Sequence, residues 1–486
     1  MGSIPAFETR LFIDGQYVNS KSATRMSCYT PTDNTPVTEE LHVAEKDDVD
    51  DAVNAARAAF KLWKETSSAT RAALLLRIAD RIEAHAKEFA RLEALCTGKP
   101  VAQSLGFEVP MAANVFRYYA GWCDKLSGEA WPQEGTGFLR MTRREPLGVC
   151  AAVNAFNGPL VMIAMKGAPC LAAGNTMIVK SSEKTPLTTV YFGKILQEAG
   201  APDGIMNLIT GPGSTGALLA SHLGIDKISF TGSSATGKKI AQMASTSNMK
   251  KVTLELGGKS PSIIFDDAQL DNAAQWCMQG ILGNSGQACI ASSRVYVQKG
   301  VKEVFVAKLK ALFEQMTPAF GQDANSDDTR FPPLADKVQF DRVQSYMDIG
   351  SREGTLVTGG KPIYDKGCWI APTIFVDTKP SARIYKEEIF GPVVVVNEFE
   401  EEEDVLNRAN DTEFGLAGAV FTQDVNRAMR IAAKVEAGTV CINCCTMVDV
   451  TVPFGGMKQS GWGRELGKMG IEAYTDVKTI FLNMTY

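Results

Sequence analysis

The sequence predicts an α/β fold of two successive parallel sheets with crossover helices and a small extra β element. Three observations predict it. Short apolar runs alternate with helical spacing between residues 147 and 245. A second alternating region begins after Glu255 and runs to about residue 440. At 486 residues the chain exceeds a single core, so two or three domains are expected.

In chain order, residues 8–20 read as a hairpin turning at Asp14-Gly15. Residues 48–64 and 71–97 have helical spacing, the second closed by Gly98 and Pro100, and 112–126 continues helical. Strands are then expected at Val149–Phe156, Thr176–Lys180, Ile205–Thr210 and Lys227–Thr231, with helices near 159–172, 186–199, 214–222 and 235–245. Ligands of such sheets sit at the carboxyl ends of the strands. In the second region strands are expected near Pro261–Phe265 and Arg294–Val297, and the acidic run Glu398–Asp404 reads as the solvated start of a helix. Residues 127–146 read as a projecting hairpin and Asp476–Asn483 as a last strand. Neither fits the rhythm of the sheets, and both are expected to pair with another subunit.

Hydrophobic content of 45% and charged content of 22% describe a soluble globular protein. A net charge of −5 with scattered basic residues gives no electrostatic reason for a nucleic-acid or membrane partner. No apolar run approaches the ~18 residues of a membrane span. Met1–Ala6 lacks a signal-peptide pattern, and Ala6 stands where a myristoylation site needs Ser or Thr. Eleven cysteines, an odd number, favour reduced thiols and a cytoplasmic protein. His42, His85 and His222 lie far apart, and Cys441-x-x-Cys444 has no second pair, so no metal site and no histidine-dependent triad is expected.

The chemistry concentrates at Cys289, in Gly283-Asn-Ser-Gly-Gln-Ala-Cys289, and at Glu255, in Leu254-Glu-Leu-Gly-Gly-Lys. A thiol can hold an acyl group, and a carboxylate can activate the water that releases it. Gly211-Pro-Gly213-Ser-Thr-Gly216 matches a dinucleotide pattern but lacks a convincing acidic partner downstream. Gly232-Ser-Ser-Ala-Thr-Gly237-Lys-Lys239 nearly matches a P-loop, yet Lys239 replaces the magnesium-holding Ser or Thr. Both put free N–H groups at a helix start, which suits a pyrophosphate.

Cys289 and Glu255 in these surroundings, with Phe230-Thr-Gly-Ser233, Glu387-Glu-Ile-Phe-Gly-Pro392 and Pro453-Phe-Gly-Gly456, resemble the aldehyde dehydrogenase superfamily from about residue 10 to 483. The resemblance implies two Rossmann-like doubly wound domains and a β oligomerisation element. The NAD-binding domain would span 1–126 and 147–257, the catalytic domain 258–457, and the oligomerisation strands 127–146 and 470–486. It implies Cys289 as nucleophile, Asn157 with the Cys289 N–H as oxyanion hole, and Glu255 as hydrolytic base, with Glu465 as a second carboxylate. Relatives that acylate coenzyme A generally lack the base, so a free carboxylic acid is the expected product.

The same resemblance implies a cofactor site. Lys180 and Glu183 would grip the adenosine ribose, and the Glu183 carboxylate favours NAD while leaving NADP open. Gly232 and Ser233 would contact the pyrophosphate, Pro212 and Gly216 the adenine, and Glu388 and Phe390 the nicotinamide ribose. Val153, Asn154, Phe156, Phe230 and Leu256 complete the set. Relatives commonly carry Pro-Trp where this chain has Ala155-Phe156. The substrate tunnel would include Phe107, Met111, Gly158, Met165, Gly283, Ile290, Val448 and Phe454. Several relatives place aromatics where Gly158, Gly283 and Val448 stand, so a wide apolar tunnel and a bulky uncharged aldehyde, aromatic or long-chain, are expected. A homodimer or homotetramer is implied. The alternative is a catalytically silent relative acting as a binding or structural protein.

Overall fold

Five parallel strands form the centre of the first sheet, in the spatial order Lys251–Glu255, Lys227–Thr231, Val149–Val153, Thr176–Lys180 and Met206–Ile209. The computed structural model describes residues 7–485. The Met1–Ala6 segment read above and Tyr486 lie outside the described residues. The three strands from Val149 to Ile209 are buried throughout, as strands covered on both faces by crossover helices must be. From Val149–Val153 the chain steps outward to Thr176–Lys180 and Met206–Ile209. It then returns to the other side of Val149–Val153 for its last two parallel strands. This reversal opens a crevice at the carboxyl ends of Val149–Val153 and Lys227–Thr231. Antiparallel strands close the edges: Gly461–Trp462 on one side, and Leu11–Ile13 followed by Gln16–Val18 on the other. Asp14 and Gly15 turn that hairpin with φ of 52° and 74°, as a two-residue turn of matching twist demands.

The helical stretch expected at 71–97 is two helices, Ser68–Ala84 and Ala86–Thr97. His85 leaves helical geometry between them, and its ring is held by the Tyr191 hydroxyl at 2.6 Å and Glu198 at 2.8 Å. Those partners are more than a hundred residues away, so periodicity carries no sign of the break. Gly98, at φ 66°, ends the second helix as expected. The helix expected at 112–126 is Val109–Ala120, entered through a π-helical turn at Ser104–Glu108. The strand expected to reach Phe156 stops at Val153, which frees Asn154–Phe156 to run along the crevice.

The second sheet has seven strands, ordered Thr355–Thr358, Thr373–Val376, Val393–Phe399, Arg294–Gln298, Pro261–Ile264, Ala417–Phe421 and Thr439–Ile442. All pairings but the first are parallel. In the third sheet Phe138–Pro146 and Thr475–Asn483 pair antiparallel over nine residues, with Ala130–Trp131 beyond. The two segments expected to seek another subunit thus pair with each other, and Val477 and Phe481 remain exposed on the ribbon. Among the described residues no helix is long and apolar enough to cross a membrane, and no cluster of three metal-ligating side chains occurs.

The two large sheets meet where Gly257 and Gly258 leave the Lys251–Glu255 strand. A Cβ on Gly258 would stand 2.1 Å from the Cys289 carbonyl oxygen. Gly258→Ala is therefore expected to cost about 1–3 kcal/mol of stability, typical of overpacking. A lower urea midpoint would register that loss, and an unshifted midpoint would show that the two segments are not pressed together.

Candidate active site

Cys289 follows the helix Leu270–Leu282 through a sharp turn in which Asn284, Ser285 and Gly286 have φ of 49°, 53° and 71°. Successive left-handed residues are strained, so neighbouring structure must hold them. The Ser285 hydroxyl donates to the Pro332 carbonyl. The Gln287 amide donates to Pro333 O at 3.1 Å and accepts from the Ala335 N–H at 2.8 Å. Asn284 Nδ2 donates to Asn157 O and Gln287 O, both at 3.2 Å. At Gly286 a Cβ would lie 2.0 Å from Gly391 O.

Burial pushes the Cys289 thiol up to about 12, and the negative charges of Glu388 and Glu255 add to the effect. The N–H groups of Cys289 and Ile290 pull the other way. Glu255 ends its strand at 3% exposure, and neither carboxylate oxygen has a hydrogen-bond partner. Desolvation first, then the charge of Glu465, holds its carboxyl well above the usual range, against Lys166 and Arg464. Behind it the buried Lys166 pairs with Glu465 and donates to Thr231 Oγ1 at 2.7 Å, while Ser229 donates to Glu465 at 3.3 Å. Asn157 turns its amide toward the cysteine loop, donating to Gln287 O at 3.0 Å.

Cys289, Glu255 and Asn157 line one cleft of about 360 Å³ at the carboxyl ends of the first sheet's strands. Val153, Asn154, Phe156, Lys180, Glu183 and Gly216 line it from one side. Phe230, Gly232, Ser233 and Leu256 line it as well, and Glu388 and Phe390 come from the segment before the Val393–Phe399 strand of the second sheet. Ser233 caps the helix Ser234–Ser247, its hydroxyl accepting from Thr236 N at 3.3 Å, so that helix presents its N-terminus to the cleft. Lys180 and Glu183 pair at 3.4 Å. Glu388 accepts from the Gly258 N–H at 3.0 Å, and the rings of Phe156 and Phe390 meet edge-on at 5.8 Å. Pro212 is exposed at the N-cap of Gly213–Ser221 and is not a lining residue, whereas its neighbour Gly213 is.

Sequence reasoning missed Thr236, Ile240, Gln339 and Arg342, which also line the cleft. Thr236 lies inside the near-P-loop segment and was legible there. Gln339 and Arg342 sit on the amphipathic helix Lys337–Glu353, which carries no motif. Their function in the fold is visible: Gln339 donates to Phe390 O at 2.8 Å and Arg342 to Glu388 O at 2.5 Å.

The eight tunnel candidates do not line this cleft. Gly283 and Ile290 flank the cysteine turn, and Gly158 follows Asn157. Met111, Val448 and Phe454 pack against the apolar cluster containing Met165. Phe107 is exposed on the π-helical turn. A Cβ on Gly283 would meet no atom within 4 Å, and one on Gly158 would meet only Val161 at 3.9 Å.

Fold and site together define an α/β oxidoreductase with a cysteine in its cleft. The model of the Aldehyde dehydrogenase family matches residues 17–480, and the chain belongs to that family. It is 42% identical over 477 residues to retinal dehydrogenase 2 of Homo sapiens, covering 97% of this chain and 91% of that protein. It is 43% identical over 475 residues to a mitochondrial aldehyde dehydrogenase of Leishmania tarentolae, covering 97% and 94%. Among solved structures, a betaine aldehyde dehydrogenase from Staphylococcus aureus in complex with NAD+ superposes with a TM-score of 0.95 at 37% identity, covering 99% of this chain and 98% of that one.

A dinucleotide fits the residues present. Both polar atoms of the Asn154 side chain are buried without partners beside the cleft, and a helix N-terminus and the open flank of Gly213 face it.

Because the thiol's pKa lies above the neutral range, its thiolate fraction grows with pH. Alkylation of Cys289 by iodoacetamide, without cofactor, is expected to accelerate about tenfold per unit between pH 7 and 9. A plateau below about pH 8 would contradict the assigned environment.

Proposed function

We propose that this enzyme oxidises an aldehyde to its carboxylic acid, with Cys289 as nucleophile, Asn157 as oxyanion donor and Glu255 as hydrolytic base. The observation that carries this reading is the shared cleft of a half-buried thiol and a buried carboxylate without partners. The thiolate of Cys289 adds to the carbonyl carbon. The resulting oxyanion is stabilised by Asn157 Nδ2 and the Cys289 N–H, each such donor being worth ~2.7–4 kcal/mol in comparable sites. NAD, when bound along Lys180, Glu183, Gly232, Ser233 and Glu388, supplies the hydride acceptor. A thioester remains on Cys289. Glu255 takes a proton from water, the water oxygen adds to the thioester carbon, and the Cys289 sulfur leaves. NAD is favoured over NADP because a 2′-phosphate would meet the Glu183 carboxylate, which Lys180 only partly offsets at 3.4 Å.

The substrate is a bulky uncharged aldehyde, aromatic or long-chain. The free space at Gly158 and Gly283 supports this, since neighbouring loops do not fill what smaller side chains leave open. The name of retinal dehydrogenase 2 agrees with such a substrate, and that of betaine aldehyde dehydrogenase points to a different one. The chain works as a homodimer or homotetramer, with Val477 and Phe481 of the third sheet as the exposed apolar contacts. Eleven free thiols suit the reducing cytoplasm.

With Glu255→Gln, NADH absorbance is expected to show one turnover and then stall, steady-state rates falling roughly 10²–10⁴-fold. Unchanged steady-state turnover would defeat the assigned base. In a substrate panel, kcat/KM for benzaldehyde and decanal is expected to exceed that for acetaldehyde, and Gly283→Phe should narrow the gap. Acetaldehyde performing as well as the larger aldehydes would reject the wide tunnel.

A further inference from the structure

The Asn157 carbonyl, opposite the amide assigned to the oxyanion, is held by a buried charge cluster to which the mechanism gives no part. Lys99 has no exposed side-chain surface and bonds Glu93 at 3.1 Å and, more closely, Glu108. Its third contact is Asn157 O at 3.3 Å. An ammonium has three N–H donors in a fixed tetrahedral spread. Two carboxylates fix its orientation, and the third N–H is left for a single target. The Glu93 carboxylate is itself anchored, whereas Glu108 has Lys99 as its one side-chain partner and its Oε2 is bare. Glu93 stands on the helix Ala86–Thr97 and accepts from Thr188 Oγ1 at 3.2 Å. Glu108 closes the π-helical turn Ser104–Glu108 that also carries Phe107. Burial opposes the ammonium's charge, yet Glu108 and Glu93 outweigh it and keep Lys99 protonated.

Buried ion pairs are a poor source of net stability, because desolvation consumes most of the attraction. Two acids also crowd around one base here, and burial with the Glu108 charge pushes the Glu93 carboxyl up to about 7. Such a cluster is better explained by the geometry it imposes, and this one imposes it on the peptide of Asn157. Asn284, on the cysteine turn, donates to the same carbonyl from its own side.

We propose that Lys99 is a positioning residue for the reaction: with Glu93 and Glu108 it pins the Asn157 carbonyl so that the Asn157 amide faces the oxyanion formed at Cys289. The inference rests on the oxyanion role given to Asn157 above. It also links the turn bearing Phe107 to the oxyanion donor, through Glu108 and Lys99.

Lys99→Met tests this, alongside the charge-neutral triple variant Glu93→Gln/Lys99→Met/Glu108→Gln, which leaves no unpaired carboxylate. In folded enzyme kcat is expected to fall at least about tenfold, part of the effect of losing a whole oxyanion donor. The KM for NAD and the iodoacetamide rate at Cys289 should change far less than kcat, because Lys99 bonds neither a cofactor-gripping side chain nor the thiol. In an Asn157→Ala background, Lys99→Met should cost nothing further in kcat. Wild-type kcat in either folded variant would overturn the proposal. An undiminished loss in the Asn157→Ala background would do the same. Failure of both variants to fold would make Lys99 a scaffold residue only. If Asn157→Ala alone keeps full kcat, the oxyanion assignment itself falls and takes this inference with it.

Discussion

A thiol and a carboxylate share one poorly solvated cleft, and neither ionises readily there. Cys289 is pushed up by burial and by the charges of Glu388 and Glu255, and Glu255 by burial and by Glu465. Each disfavours the charge of the other, so the state with both ionised is the costly one. Under the proposed mechanism the two charges are never needed together. Sulfur attacks while Glu255 still carries its proton. Once acylated, sulfur carries no charge that could oppose Glu255 ionisation, while burial and the charge of Glu465 still hold that carboxyl up. The proposed order, attack before hydrolysis, is the one the electrostatics of the pair favours, and Lys166 limits how far the Glu255 carboxyl is raised.

The fold brings the pair together by close backbone approach. Glu255 terminates a strand of the first sheet, and Cys289 stands on a turn leading into the second. Between them Gly257 and Gly258 have no room for a side chain: a Cβ would meet the Glu388 carboxylate at 2.4 Å or the Cys289 carbonyl at 2.1 Å. The cysteine turn accepts three left-handed residues to reach this position; Ser285 and Gln287 bond it to the Pro332-Pro333 segment and Asn284 bonds it to Asn157. Strain of this kind persists only where surrounding contacts over-determine the backbone.

Much of the first sheet was legible in the sequence because its parallel strands are continuous apolar runs with polar ends. Thr176–Lys180 and Lys227–Thr231 stand where expected to the residue. The break at His85 was not legible, because it depends on Tyr191 and Glu198, which only the fold brings near. In the second sheet, five of the seven strands carried no isolated signal beyond general alternation. The cysteine and its carboxylate were legible from glycine-flanked motifs. Gln339 and Arg342 were not, since a polar side chain on an amphipathic helix looks the same whether it faces solvent or braces the Glu388–Phe390 loop. The pairing of Phe138–Pro146 with Thr475–Asn483 escaped notice for a simpler reason: two alternating strands do not say which partner they want.

The buried polar groups divide the interior into finished and unfinished parts. Arg294 is wholly enclosed, yet its guanidinium reaches Lys259 O, Ala409 O and the Tyr296 hydroxyl. Lys99 uses all three of its donors. Among the described residues, only Asn154 and Glu255 have both terminal side-chain atoms buried and unbonded, and both line the cleft. Leaving a buried donor or acceptor unmet costs about 1–3 kcal/mol, more for a charged group. The other buried atoms without partners are single atoms, such as the Ser181 and Ser260 hydroxyls, so these two side chains stand apart in being bare at both ends. An amide and a carboxylate left bare in one cleft are groups that a bound cofactor and an attacking water would complete.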